Sequence, residues 1–177
     1  MNLKGMHNIN NIMFILAVCQ ILKLDINQVV SSIKEFKPLE HRMEFVANIN
    51  GVDYYNDSIA TIPESTIDAI NAIKNVNTII VGGKDRGVNL EELIDFLKKS
   101  DIENIICLPK TGEYIKQGLE NSNKNIYFTN ELEEAVNIAK RVTKKDTVCL
   151  LSPAASSYGY FKNFEERGNL FKKFVTN

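Results

Sequence analysis

Charge of one sign is what this sequence lacks most plainly: 21 Lys and Arg stand against 22 Asp and Glu, a formal net charge of −1. So balanced a chain raises no broad field to collect nucleic acid or an anionic membrane, and any anion site must be built from a few placed residues. Cysteine is scarce. Cys19, Cys107 and Cys149 are odd in number and far apart, and two lie in strand-like apolar runs, which argues against a disulfide framework and predicts buried, reduced thiols. Only two histidines occur, and His41 has no second His, Cys or acid at ligand spacing, so no metal site is expected. The longest apolar run, Ile12 to Leu22, is broken by Gln20 and falls short of the ~20 residues a membrane span needs. The N-terminus shows none of the regions of a signal peptide, so a cytoplasmic location is expected. Also missing are the G-x-G-x-x-G fingerprint of dinucleotide sites and the G-x-x-x-x-G-K-[ST] phosphate loop. No G-x-S-x-G elbow surrounds Ser157, so it is not read as a nucleophile. Internal repeats and low-complexity segments are absent too.

What is present is an ordinary globular composition: 177 residues, 44% apolar and 24% charged, enough for one domain of common size with an appendage. Apolar residues at helical spacing (Ile12, Ile15, Leu16, Cys19; then Ile26, Val29, Val30, Ile33) predict amphipathic helices over 8–23 and 26–36. Pro38 disfavours helix at Lys37 and opens a short linker. The pattern then changes to strands, Met43 to Ile49 and Val52 to Tyr55, joined by the hairpin signal Asn50-Gly51. Helices over 63–74, 90–99, 111–121, 131–143 and 160–175 follow, alternating with strands over 77–82, 104–108, 125–128 and 147–151. That rhythm predicts an α/β fold: a Rossmann-like, mostly parallel sheet flanked by helices, entered through an N-terminal β-hairpin and preceded by a two-helix appendage. Thr61 with Glu64 reads as a capping box with Pro63 in the first turn, and Asn89 and Asn130 read as caps of the next helices.

In open sheets of this kind ligands bind beyond the carboxyl ends of the strands, so the loops there carry the functional reading. Gly5-Met6-His7-Asn8-Ile9-Asn10-Asn11 puts Asn8 and Asn11 three residues apart on one helical face, where two amides could read an adenine edge or simply cap a helix. His41-Arg42 lies in the linker; Arg42 suits phosphate oxygens across a cleft, or a surface ion pair. In Asn56-Asp57-Ser58-Ile59-Ala60-Thr61, Asp57 can accept from ribose hydroxyls and Thr61 sits beside free N–H groups that favour an anion, unless the segment is an ordinary capped turn. In Gly82-Gly83-Lys84-Asp85-Arg86-Gly87 the glycines admit a close ligand and Arg86 can grip a carboxylate with two parallel bonds. The loop Ser152 to Phe164 completes the outline of an amino-acid pocket.

Taken in order, the H-N-x-x-N opening, the His-Arg-x-Glu linker, the Asn-Asp-Ser-x-Ala-Thr loop, the Gly-Gly loop and Leu-Leu-Ser-Pro-Ala with Phe-Lys-Asn-Phe-Glu-Glu-Arg-Gly resemble the Mur ligase family over nearly the whole chain. Most similar is the branch that adds D-glutamate to UDP-N-acetylmuramoyl-L-alanine during peptidoglycan precursor synthesis. The resemblance implies an ATP-dependent, amide-forming enzyme that works through an acyl phosphate. It implies residues 1–38 as the helical end of the central, ATP-binding domain and 39–177 as the C-terminal, glutamate-binding domain. Asn8, Asn11, Arg42 and Asp57 would hold the nucleotide, and Thr61, Arg86, Ser157, Tyr158 and Phe164 the incoming glutamate. ATP, Mg²⁺, glutamate and the UDP-linked acceptor are the implied ligands of the parent enzyme, a cytoplasmic monomer. The phosphate loop, the Mg²⁺ ligands and the carbamylated Lys of the family lie upstream of these motifs, so this stretch alone is expected to hold no catalytic residue and to be inactive. Three positions depart from the pattern: Ile59 for Lys, Ile62 for Asn and Arg86 for Lys. The wording Asp-Ser-Ile and Pro-Glu-Ser is also similar to related ligases that add L-glutamate. A non-catalytic, Rossmann-like binding module is the reading from another class.

Overall fold

A computed structural model describes residues 6–36 and 38–177, with the side chains of Met6 and His7 left aside; the expectations for Gly5 and Lys37 lie outside the described residues. Two helices, α1 (Met6–Ile21) and α2 (Ile26–Glu35), come first and pack on each other. A hairpin of β1 (Glu44–Ile49) and β2 (Val52–Asn56) follows. Its turn is the expected Asn50-Gly51, with φ of 54° and 85°, the left-handed pair that a two-residue hairpin of matching twist requires. From there helix and strand alternate: α3 (Pro63–Ala72), β3 (Val76–Gly82), α4 (Glu91–Lys99), β4 (Asn104–Leu108), α5 (Thr111–Gly118), β5 (Asn125–Phe128), α6 (Leu132–Val142), β6 (Thr147–Leu151) and α7 (Phe164–Thr176).

The strands form one sheet in the order β1-β2-β6-β3-β4-β5. Only the β1–β2 pair is antiparallel; β6 pairs parallel with both β2 and β3. Strand side chains alternate between two cores, as the period of two demands. Ile79, Val81, Ile105, Cys107 and Leu150 join Ala69, Leu93, Leu97, Ile115 and Leu119 of α3, α4 and α5 on one face. Ile80, Ile106, Leu108, Cys149 and Leu151 join Leu132, Val136, Ala139, Phe171 and Val175 of α6 and α7 on the other. Two-sided burial explains why these strands read as continuous apolar runs. Cys107 and Cys149 are buried as expected, whereas Cys19 is only half-buried on α1. That helix exposes Met13, Phe14, Val18 and Ile21, an apolar surface wider than the predicted stripe. Among the described residues no helix is long and apolar enough to cross a membrane.

The start of α3 at Pro63 is as expected, but helix caps and the start of the last helix differ from expectation. At α3 the cap position is Ile62, extended and without a side-chain bond, and Pro63 opens the helix. Thr61 therefore stands one residue too early to cap, and Pro63 has no N–H to be capped. Asn89 does accept the Glu91 N–H at 2.8 Å, but no side chain caps α6, and Thr129 rather than Asn130 accepts the Glu131 N–H at 3.3 Å. The last helix begins at Phe164, not at 160, because Tyr160 and Phe161 N–H groups turn back onto the Ser157 carbonyl. Asn163 Oδ1 then accepts the Glu166 N–H at 2.9 Å while Glu166 Oε2 accepts the Lys162 N–H, a reciprocal cap.

At the carboxyl edge β3 and β4 run so close that a Cβ on Gly82, whose φ is +113°, would overlap the Leu108 carbonyl. Gly82→Ala combines a backbone clash with a disfavoured conformation. Denaturant unfolding should show a loss well beyond the ~1 kcal/mol of an average substitution; an unchanged midpoint would show that the strands can part freely there.

Candidate functional site

Three loops leave the carboxyl ends of neighbouring strands and are laced together by main-chain bonds. Asp57 N–H donates to the Leu151 carbonyl at 2.8 Å, Gly82 N–H to Pro153 at 2.8 Å, and Lys84 N–H to Ser156 at 2.8 Å. The chain after β2, the Gly-Gly loop after β3 and the small-residue loop after β6 thus share one frame, at the crevice where this topology favours ligands.

Asp57 is buried in that frame. Its Oδ1 accepts the Met43 N–H at 3.1 Å and its Oδ2 accepts the Ser152 hydroxyl at 2.8 Å. Burial outweighs these bonds and the charge of Arg42, and pushes the carboxyl up to about 6. Both of its oxygens hold protein groups, tying the linker to the loop after β6.

The linker is pinned at each residue that flanks Arg42. His41 and Met43 both take left-handed backbone conformations, φ 63° and 44°, costly for residues with a side chain. His41 N–H donates to Glu44 Oε2 at 2.9 Å and its carbonyl accepts the Ile59 N–H at 3.1 Å. The Asn56 amide donates to Glu44 Oε2 at 2.9 Å and approaches His41 Nδ1 at 2.8 Å, so Nδ1 accepts and the ring proton resides on Nε2. Desolvation first, then Lys172, lowers the His41 pKa. The imidazole rests on Gly168 of α7, where a Cβ would overlap Nδ1, and meets the Phe164 ring edge-on at 6.0 Å.

Between the helical pair and this linker lies a cavity of about 1010 Å³, lined by Asn8, Asn11 and Arg42 with Ile12, Ile15, Val29 and Phe45. Three of the four residues expected at the nucleotide therefore border one space, apolar walls on one side and a cation on the other; Asp57 stands behind the linker. Asn8 is buried, while Asn11 and Arg42 are exposed. Among the described residues no group of three His, Cys, Asp or Glu could hold a metal ion.

A second cavity, about 410 Å³, opens at the ends of β3 and β4 and is lined by Gly82, Gly83, Ser157, Tyr160, Phe161 and Arg167, among others. Ser157, 3% exposed, is the one residue of the expected glutamate set that borders it. Thr61 is half-buried near the start of α3, Arg86 and Tyr158 are exposed, and Phe164 packs on His41. What the sequence reading missed is Arg167, the bulkiest fully buried side chain among the described residues, 1% exposed. It carries no carboxylate partner among the described ion pairs and donates only to neutral oxygens. Its place in the stripe of Phe171 and Val175, four and eight residues on, was the available signal.

A family profile described as Mur ligase, glutamate ligase domain, matches residues 41–155. The chain belongs to the Mur ligase family. It is similar to UDP-N-acetylmuramoylalanine–D-glutamate ligases from Caldanaerobacter subterraneus, 38% identical over 97% of this chain and 38% of that protein, and from a Geobacter species, 40% identical over 98% and 38%. The chain thus spans under two fifths of the length of these curated relatives. Among solved structures, the UDP-N-acetylmuramate-alanine ligase of Thermotoga maritima superposes with a TM-score of 0.73 at 16% identity, over 98% of this chain and 39% of that one. A folylpolyglutamate synthase of the same organism gives 0.59 at 17%, over 98% and 39%. At such identities the superpositions speak for the fold: the sheet, its hairpin and the preceding helical pair.

The buried carboxyl of Asp57 has a signature in stability. Its folded value of about 6 lies above the unfolded 3.8, so the native state holds its proton more tightly. Its contribution is fully present below about pH 3.8 and is lost as pH rises through about 6. Asp57→Asn keeps an acceptor and escapes this loss, so its stability relative to the parent chain should rise between about pH 4 and 6, by on the order of 2 kcal/mol. Unfolding curves across pH 4 to 8 check this; a difference that stays flat refutes it.

Proposed function

We propose that this chain is the glutamate-binding domain, with the end of the preceding nucleotide-binding domain, of a ligase that joins D-glutamate to UDP-N-acetylmuramoyl-L-alanine at the expense of ATP. The observation that carries the reading is 37–40% identity to ligases of that name across essentially the entire chain. Supporting it, Asn8, Asn11 and Arg42 border one cavity of nucleotide dimensions. In this reading residues 1–38 close the central domain and 39–177 form the C-terminal one. On the same reading the enzyme takes ATP and a UDP-linked acceptor and works as a cytoplasmic monomer.

The chemistry is a carboxylate made electrophilic by phosphorylation, attacked by the amine of glutamate, with phosphate leaving. Such a reaction depends on positioning and on stabilising negative charge. Asn8 and Asn11 offer amides to the adenine edge, and Arg42 offers its guanidinium to phosphate oxygens. In this reading Ser157, Thr61 and Arg86 offer hydroxyls and a cation to the carboxylates of the amino acid, and Tyr158 and Phe164 belong to the same site. The family's Mg²⁺ finds no ligand cluster among the described residues, and we assign it none here. The Asp-Ser-Ile and Pro-Glu-Ser wording keeps L-glutamate as a second reading; Ile59 and Ile62 stand where the D-glutamate pattern has Lys and Asn.

Phosphate release by the full-length protein, supplied with ATP, Mg²⁺ and UDP-N-acetylmuramoyl-L-alanine, should require D-glutamate. Release with L-glutamate alone moves the protein to the second reading, and release with neither returns it to a binding module. In the same assay Arg42→Ala should raise the KM for ATP by roughly 10-fold or more, the range of a charge-assisted hydrogen bond. An unchanged KM would remove Arg42 from the nucleotide site.

A further inference from the structure

Arg167 is a buried cation without a counter-charge among the described residues. A guanidinium has five N–H donors. Here Nε donates to Ser58 Oγ at 2.9 Å, Nη2 to the Ser58 carbonyl at 2.7 Å and Nη1 to the Ala155 carbonyl at 3.1 Å. Ser58 Oγ in turn donates to the Phe164 carbonyl at 2.8 Å. A Cβ on Gly83 would come within 3.2 Å of Nη1, so the Gly-Gly loop packs against the same group. Asp57, one residue from Ser58, is the nearby buried acid, yet its oxygens go to Met43 and Ser152 and form no ion pair with Arg167. Burying an unpaired charge is expensive, and a neutral side chain would make a more stable brace. The charge therefore calls for a reason outside stability.

The bonds supply one. Every segment that carries a residue assigned to the incoming amino acid meets at this fork: the loop after β2 with Thr61, the Gly-Gly loop with Arg86, the loop after β6 with Ser157 and Tyr158, and the first turn of α7 with Phe164. Arg167 also lines the 410 Å³ cavity beside Ser157, and its three described bonds leave two N–H groups over. We infer that Arg167 is a positioning residue of the amino-acid site: its fork sets the spacing of the four segments, so that glutamate meets its contacts already aligned. This rests on the proposed function for the identity of the ligand, not for the brace itself. Lys cannot replace it, since a single ammonium cannot span Ser58 and Ala155 in one plane.

Three variants of the full-length protein separate the possibilities: Arg167→Lys, which keeps charge without the fork, Arg167→Met, which keeps bulk alone, and Ser58→Ala, which removes one bonded hydroxyl. The KM for glutamate should rise about 10-fold or more in both Arg167 variants and less in Ser58→Ala, with the KM for ATP changed less than about twofold. Amide hydrogen exchange should quicken over residues 57–62 and 152–160 while β3 and β4 keep their protection. Full glutamate affinity in Arg167→Lys would make Arg167 a point charge and overturn the inference. Equal rises in both KM values, or exchange quickened throughout the sheet, would reduce it to a stability role and overturn it as well. If either Arg167 variant fails to fold, Ser58→Ala and its exchange pattern decide alone. A wild-type protein inactive with both glutamates would refute the proposed reaction, and the exchange pattern would still judge the brace.

Discussion

The insertion of β6 between β2 and β3 is the constraint on which the rest of this molecule depends. Because β6 is the last strand in sequence and stands inside the sheet, its carboxyl end brings the loop 152–163 between two loops formed much earlier in the chain. Backbone groups that would face solvent at an edge are there consumed between loops: Leu151 with Asp57, Ile80 with Ser152, Pro153 with Gly82. Loops joined in this way carry function on a rigid base. The small residues Ala154, Ala155, Ser156 and Ser157 are all buried; larger ones would hold the three loops apart.

How much of this was legible follows from what each signal encodes. Hydrophobic periodicity encodes which face is buried, so β4, β5 and β6 emerged with their observed bounds and the helical pair and hairpin with theirs nearly so. Helix caps depend on one residue's geometry: α3 starts at 63 as expected but with Ile62 rather than Thr61 at its cap, and the turn at Ser157 moved the start of α7 from 160 to 164. Side chains proposed to serve the site were readable as chemical types at strand ends, but their arrangement in space was not. Nothing local says that Asn8 and Arg42 face one cavity across 34 positions of chain, or that Phe164 would lie against His41. Arg167 was hidden for a further reason. A charged residue in Phe-Glu-Glu-Arg-Gly reads as solvent-facing, and only its register with Phe171 and Val175 betrays that it points inward.

Polar burial in this protein is divided by purpose. At the amino end of the strands Asn77, Thr78, Asn104 and Thr143 form a network, in which the Asn104 amide bonds to Asn77 and Thr78 and the Thr143 hydroxyl to Thr78. These four buried side chains are neutral, the charged Glu103 joining only at the surface, and a satisfied neutral network rigidifies at little electrostatic cost. At the carboxyl end the buried groups include an acid raised toward neutrality and a cation left without an anion. A fold concerned only with stability would have both ends like the first. The asymmetry follows the direction of the sheet, and it places unspent charge on the side where ligands of this topology arrive.

The linker shows how the two cavities are related mechanically. Arg42 borders the larger one, its N–H donating to the Leu39 carbonyl of the linker at 3.4 Å, while the residues on either side of it are fixed from the sheet side: by Asp57 and Asn56 at the end of β2, Ile59 beyond it, and Gly168 of α7 beneath the imidazole of His41. Lys172 of α7 adds its ammonium to Glu40 and Glu44 at 3.3 and 3.0 Å. Asn8 and Asn11, on the opposite wall, belong to the helical pair. A ligand that touches both walls is held by two bodies joined through residues 38–43, and its grip depends on their apposition. His41 connects the same linker to Phe164, whose carbonyl accepts from Ser58 in the frame of Arg167. The backbone that carries Arg42 and the loops around the smaller cavity are therefore joined by a continuous set of contacts, running from His41 through Phe164 and Ser58 to Arg167.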